Sequence, residues 1–160
     1  MHMKILVVDD YTGRDEDSRN LFKAQISNAG PVVNGDVEAW QRMVEARVTR
    51  AGIEIDFLLD GDKAFKHYCG HGPYDLVLTD FAHPGLNGLE LSRAIRRKNP
   101  AQAITMYTAG IPDPVALFLE ELDIPVLYKP VRSAELRQSL HDAIEINRER
   151  VARIGPCTVH

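Results

Sequence analysis

The sequence predicts an open α/β fold, a five-stranded parallel sheet with helices on both faces, plus one helix inserted between the first helix and the second strand. Three observations carry this. Five short apolar runs recur along the 160 residues, each followed by a turn signal and then by residues at helical spacing. The first and third runs are nearly unbroken Val, Leu and Ile, as expected of strands covered on both faces. The stretch from Pro31 to Gly52 adds a helical pattern that a plain strand and helix alternation does not need.

Taken in order, the strand runs are KILVVDD (4 to 10), IEIDFLLDG (53 to 61), YDLVLTD (74 to 80), AITMYTAG (103 to 110) and PVLYKP (125 to 130). The second alternates apolar and polar residues and reads as an edge. A first helix runs from near Arg14 to about Asn28, where Ala29-Gly30-Pro31 stops it; Phe22 and Ile26, one turn apart, share a face. In the inserted segment Val37, Trp40, Val44, Val48 and Ala51 recur at helical spacing behind a capping Asp36. This stripe covers the sheet edge or a helix face, with a docking surface built on Trp40 as the sharper alternative. Helices follow over Asp62 to Tyr68, Leu89 to Lys98, Val115 to Leu122 and Ala134 to about Arg150. Asp113 is the expected cap of the third of these runs, with Pro114 in its first turn. Ser133 is expected to cap the last, whose inner stripe is Leu136, Leu140, Ile144 and Val151.

Composition narrows the function. A 160-residue chain that is 44% hydrophobic and 26% charged has the size of one domain. A net charge of -4, with basic residues scattered apart from a solvated helix end at Arg96, Arg97 and Lys98, argues against direct nucleic-acid binding. Two cysteines, Cys69 and Cys157, form no disulfide framework and suit a reducing cytosol. The apolar Ile5 to Val8 runs into Asp9 and Asp10, so it has neither the length nor the flanks of a signal peptide or membrane span. A soluble cytoplasmic protein is expected.

Chemistry gathers at the strand ends. In an open parallel sheet, ligands bind beyond the carboxyl ends of the strands where the strand order reverses. Under the order 2-1-3-4-5 that point lies between the first and third strands, which end at Asp9, Asp10 and Asp80. Each close pair of carboxylates there costs on the order of a few kcal/mol at an intermediate dielectric, so a cation is implied. Oxygen ligands with open water positions suit Mg2+. The fourth strand brings Thr108 and the fifth Lys129 to the same rim. A nucleophilic carboxylate, a hard cation, an ammonium and a hydroxyl are the parts that accept and hold a phosphoryl group.

Through ILVVDD, DLVLTDFAHPGLNGLEL, MYTAG and YKP, in order and over most of the chain, the sequence resembles the receiver domain of two-component response regulators. The resemblance supplies the flavodoxin-like strand order 2-1-3-4-5. It implies that Asp80 is the phospho-acceptor and that Asp10 ligates Mg2+ directly, with Asp9 acting through water or from behind. Asp80 and the carbonyl of Ala82 complete the set. Lys129 is implied to pair with one phosphoryl oxygen and Thr108 to swing toward another, while Pro130, after a cis peptide, sets the lysine's approach. Pro84 and Gly88 shape the loop that leaves Asp80 open to a partner.

Four positions depart from the commoner pattern of that family. His83 stands where methionine is frequent, and no role is expected of it. Val126 replaces a switch aromatic, with Tyr128 on the same face nearer the strand tip. Ala82 and Gly110 are small where larger groups are common, so a short-lived phosphate is expected. His67, Cys69 and His71 hint at zinc, but a helix-end loop is the better explanation of that stretch.

The expected function is that of a single-domain response regulator, a receiver over residues 3–154 with an inserted helical segment at 31–52 and a tail at 155–160. It takes a phosphoryl group from a sensor histidine kinase or a histidine phosphotransfer protein and signals by binding a downstream protein or by onward relay. A shift of the Thr108 loop is expected to reach the face formed by the helix after the fourth strand, the fifth strand and the last helix. It is not expected to be an enzyme, beyond promoting its own phosphorylation and dephosphorylation, nor to bind a membrane; a homodimer stays open. Two other classes compete: a phosphorylation-independent interaction module using Trp40, and a phosphatase forming an aspartyl phosphate. The phosphatase needs a second acid where Ala82 stands.

Overall fold

The computed structural model describes residues 2–32 and 34–154. Five strands, β1 (Met3–Val8), β2 (Ile53–Leu58), β3 (Leu76–Thr79), β4 (Ile104–Thr108) and β5 (Val126–Tyr128), form one sheet in the order β2-β1-β3-β4-β5. Every neighbouring pair is parallel. Strand alternation divides the core in two. Leu6, Val8, Val77 and Met106 face α3 (Gly61–His71), α4 (Gly88–Lys98) and α5 (Asp113–Glu121). Ile5, Val7, Leu78 and Tyr107 face α1 (Glu16–Ile26) and α6 (Ser133–Ile154).

The inserted segment forms α2 (Val37–Arg50), capped by the Asp36 side chain, which accepts from Ala39 N–H. It packs on α1 and on the edge strand β2 with Val44 and Val48 buried, whereas Val37 faces solvent. The half-buried Trp40 donates its indole N–H to the Gly30 carbonyl at 2.8 Å, which fits an anchoring role. Lys23 of α1 pairs with Glu45 of α2 at 3.0 Å. Arg47 reaches across to the carbonyls of Ser27 and Asn28 at the end of α1, at 3.0 and 3.3 Å. Those carbonyls have no partner within their own helix, so a neighbouring guanidinium satisfies them.

Several boundaries differ from expectation. The cap of α1 is Asp15, whose carboxylate accepts from Ser18 N–H, and the helix ends early because Asn28 turns left-handed at φ 57°. The HYCGH stretch lies inside α3 rather than in a loop, and the helix stops only at Gly72. His67 is held there by Asp56 Oδ2 at 3.2 Å and stacks on His71 with ring centroids 3.9 Å apart. Pro112 takes the cap position of α5 without a side-chain bond, leaving Asp113 in the first turn. Ser133 is the first residue of α6, and Leu136 N–H returns to the Arg132 carbonyl, so the cap lies one residue earlier than expected. Leu136, Leu140 and Ala143 form the buried stripe of α6 with Ile144 half-buried; the side chain of Val151 and the tail at 155–160, with Cys157, lie outside the described residues. Arg96 is not part of a solvated end either. It donates to the carbonyls of Gln102 and Leu122 at 2.7 and 2.6 Å, tying α4 to the chain around β4 and α5.

Candidate phosphoryl-acceptor site

The register of β1 against β3 pairs Val8 with Thr79, so the next residues, Asp9 and Asp80, leave the sheet side by side. Their backbone continues the ladder, with Asp80 N–H on the Val8 carbonyl and Asp9 N–H on the Leu58 carbonyl. Across β4 and β5, Thr108 pairs with Tyr128, and Lys129 N–H bonds the Thr108 carbonyl at 2.8 Å. The Lys129–Pro130 peptide is cis.

Asp9 is fully buried, and donors surround it. Its Oδ1 accepts from Tyr11 N–H at 2.9 Å and Thr12 N–H at 3.3 Å; Oδ2 accepts from the Thr12 hydroxyl at 2.8 Å and the Lys129 ammonium at 2.5 Å. Asp80 is less enclosed. Its Oδ1 accepts from the Thr108 hydroxyl at 2.6 Å and, weakly, from Ala82 N–H at 3.4 Å, and its Oδ2 accepts from Lys129 at 3.2 Å. One ammonium therefore serves two carboxylates on different strands. Burial lowers the pKa of Lys129, but hydrogen bonds and charge from Asp9 and Asp80 outweigh it, and the group is raised above the ordinary value of 10.5.

Asp10 stands apart. It is exposed beside the site, and among the described residues no three His, Cys, Asp or Glu side chains are gathered as an ion would need. The same holds for His67, Cys69 and His71. The donors around the pocket, carboxylates and the nearby Ala82 carbonyl, are nevertheless hard oxygens of the kind that suits Mg2+.

The loop after Asp80 is pinned. Gly61 N–H donates to the Pro84 carbonyl at 2.7 Å, and a Cβ at Gly61 would lie 2.0 Å from the Leu86 carbonyl oxygen. Gly88 sits against Asp80 itself, where a Cβ would come within 2.6 Å of the Asp80 carbonyl oxygen. These approaches exclude any side chain. His83 turns its Nε2 toward the Thr79 hydroxyl, 3.0 Å away, and not toward the Asp80 carboxylate. Ala82 and Gly110 are exposed, and nothing lies within 4 Å of where a Gly110 Cβ would be. Tyr128 is 55% exposed at the strand tip.

Two parts of the site escaped the sequence reading. Thr12 contributes both a backbone and a hydroxyl donor to Asp9, a role its spacing of three residues from an aspartate would have signalled. Tyr107 lies under Lys129, hidden in the sequence by its place in an apolar run.

Residues 32–141 match the family model described as the response regulator receiver domain; the match includes Asp80, Thr108 and Lys129 and begins after β1. The response regulator ArlR of Staphylococcus aureus, in strains Mu50 and MW2 among others, is 30% identical over 125 residues, covering 70% of this chain and 55% of the relative. The chain thus spans about half the length of these curated relatives. A CheY-like receiver domain protein from Methanospirillum hungatei JF-1 superposes with a TM-score of 0.67 at 16% identity, covering 93% of this chain and 98% of that one. The signal receiver domain of an HD domain-containing protein from Pseudomonas fluorescens Pf-5 gives 0.67 at 18% identity, over 93% and 99%. At these identities the superpositions show the shared fold.

Proposed function

The chain belongs to the response regulator receiver domain family, a family of signalling phospho-acceptors in two-component systems, and on that premise we propose that Asp80 is the residue that takes the phosphoryl group. The observation that carries this is the pair of contacts on one carboxylate: Thr108 Oγ1 on Asp80 Oδ1 at 2.6 Å and Lys129 Nζ on Asp80 Oδ2 at 3.2 Å. Both donors are then at hand for a phosphoryl group bonded to that carboxylate.

The donor is a phosphohistidine on a sensor kinase or a histidine phosphotransfer protein. An Asp80 oxygen attacks phosphorus as the P–N bond breaks, its electron pair leaving with the imidazole, which takes up a proton. Lys129 moves from the carboxylate to one phosphoryl oxygen and Thr108 to another, and Asp9, buried beneath, keeps hold of the lysine. Asp10, Asp80 and the Ala82 carbonyl would hold Mg2+, with Asp9 acting through water or from behind. The ion's contribution when bound is to offset the negative charge of the phosphoryl oxygens.

Movement of Thr108 draws on the β4–α5 loop and so on the face formed by α5, β5 and α6. Leu117 and Phe118 on α5 and Tyr128 on β5 are large exposed apolar groups, which suits this face for binding a downstream protein or for onward relay. We further propose that the receiver domain comprises residues 3–154 with 31–52 as its inserted segment, and that it acts as a stand-alone cytoplasmic regulator; intact mass of the protein from its native source tests the stand-alone part. Among the described residues no helix is long and apolar enough to cross a membrane.

Incubation with acetyl phosphate or beryllofluoride and Mg2+, comparing wild type with Asp80→Asn, tests the central step. The expected result is a phosphoryl or beryllofluoride adduct in wild type alone. An Asp80→Asn protein labelled to the same extent would overturn the assignment.

A further inference from the structure

We propose that Tyr107 is a positioning residue for phosphoryl transfer, its ring forming the surface against which the Lys129 ammonium is held between Asp9 and Asp80. This rests on the reading of Asp80 and Lys129 just given. Alternation along β4 sends Met106 into the core under α4 and sends Tyr107 to the opposite face, with Ile5, Val7, Phe22, Val131 and Leu136. Tyr107 is 8% exposed, and the Lys129 nitrogen lies 4.9 Å from its ring centroid, inside the roughly 6 Å reach of a cation–π attraction. The exposed Tyr11 ring stands on the pocket's outer side at 5.9 Å.

The ring is itself held in place. Phe22 meets Tyr107 edge-on at 6.3 Å and meets Phe57 of β2 at 5.9 Å, so three aromatic rings run in contact from the sheet edge to the lysine. Burial, with the nearby Asp9 and Asp80 charges adding to it against the opposing pull of Lys129, raises the Tyr107 phenol above its ordinary value, so the ring stays neutral at physiological pH.

Such support has a purpose because a lysine stem is flexible and its two carboxylates restrain only the charged tip. Beside Lys129 opens a groove of about 510 Å³ lined by Tyr11, Leu21, Phe22, Tyr107, Pro130 and Val131. When Lys129 releases Asp80 Oδ2 for a phosphoryl oxygen, that groove is a way out to solvent. An aromatic face attracts a cation across its breadth, so it permits the short swing while opposing the escape. An aliphatic side chain of similar bulk fills the volume and exerts no such attraction.

Comparison of wild type, Tyr107→Phe and Tyr107→Leu tests the idea, using the rate of phosphorylation by acetyl phosphate with Mg2+ and the NMR signals of the Lys129 side chain. The Lys129 Hε protons are expected upfield of other lysines in wild type and Tyr107→Phe, from the ring beneath them, and at ordinary positions in Tyr107→Leu. Phosphorylation in Tyr107→Phe stays within about twofold of wild type and in Tyr107→Leu falls about tenfold, the scale of a partly desolvated cation–π contact. Equal rates in all three, or equal losses in Phe and Leu, overturn the proposal. An unshifted Lys129 signal in wild type overturns it whether or not the variants fold. Wild type that takes no label at all removes the Asp80 reading instead, which the labelling of wild type distinguishes from a failure of Tyr107 alone.

Discussion

The Lys129 ammonium donates to the buried Asp9 carboxylate at 2.5 Å, joining the ends of the first and last strands across 120 residues of chain. Asp9 has no solvent to fall back on, so losing the lysine leaves a buried charge facing only neutral donors. Lys129→Met is expected to lower stability by about 3 kcal/mol. Asp9→Asn combined with Lys129→Met is expected to cost clearly less than the sum of the two single changes, because one partner's absence removes the other's penalty. Urea unfolding of the four proteins measures the coupling; strict additivity would count against it.

Gly61 carries a comparable demand of a steric kind. With a Cβ 2.0 Å from the Leu86 carbonyl oxygen, Gly61→Ala must displace either the start of α3 or the loop that follows Asp80. A loss of about 3 kcal/mol is expected, roughly 6–12 °C in Tm for a domain of this size. Calorimetry checks the stability. Acetyl phosphate labelling of the folded fraction is expected to slow as well, because the displaced loop begins at the acceptor.

Exposed Ala82 and Gly110 leave the acceptor carboxylate within reach of water, so the acyl phosphate is expected to be short-lived. Ala82→Arg is expected to lengthen its lifetime severalfold by shielding the phosphorus from attack. Following the decay of phosphorylated protein after removal of the donor gives the answer, and an unchanged decay would show that access is limited elsewhere.

Asp10 differs from its neighbour in being exposed. Asp10→Ala is therefore expected to change stability by less than about 0.5 kcal/mol while raising the Mg2+ concentration that supports half-maximal phosphorylation about tenfold. Urea unfolding and a Mg2+ titration of the labelling rate separate the two effects.

At the other end of the sheet, Asp56 accepts from the Tyr74 hydroxyl at 2.6 Å and sits 3.2 Å from His67 Nε2. Burial pushes its pKa up, but these hydrogen bonds and the positive charge of His67 and Lys4 outweigh that, and the group lies below its ordinary 3.8. A lowered folded-state pKa contributes stability above the unfolded value that is lost as pH falls through the folded one. Asp56→Asn is expected to cost about 1 kcal/mol at pH 7, and its deficit should shrink steadily below pH 4. Urea midpoints at pH 7, 4 and 3 check the trend.

The sheet was legible because its strands are covered on both faces and so read as unbroken apolar runs, while β2, at the edge, shows the alternation of a half-covered strand. The inserted helix was legible for a similar local reason, the one-turn spacing of Val44 and Val48 behind Asp36. What the sequence concealed depends on distant partners. HYCGH looks like a loop until Asp56, on another element, takes His67. Arg96 looks like a surface charge until the carbonyls at 102 and 122 fold up to it. The gathering of Asp9, Asp80, Thr108 and Lys129 at one rim followed from strand ends and order, but which of two adjacent aspartates is buried depends on the turn through Tyr11 and Thr12 that wraps around Asp9. Tyr107 was concealed because an aromatic within a strand is ordinarily a packing residue.

Arg47, reaching from the insertion to the last carbonyls of α1, makes residues 31–52 something other than a detachable appendage. The two helices share hydrogen bonds that neither completes alone, so the end of α1 leans on the insertion. A shortened chain lacking the insertion would fray α1 from its far end, loosening Phe22 and, through it, the aromatic support of the lysine some distance away.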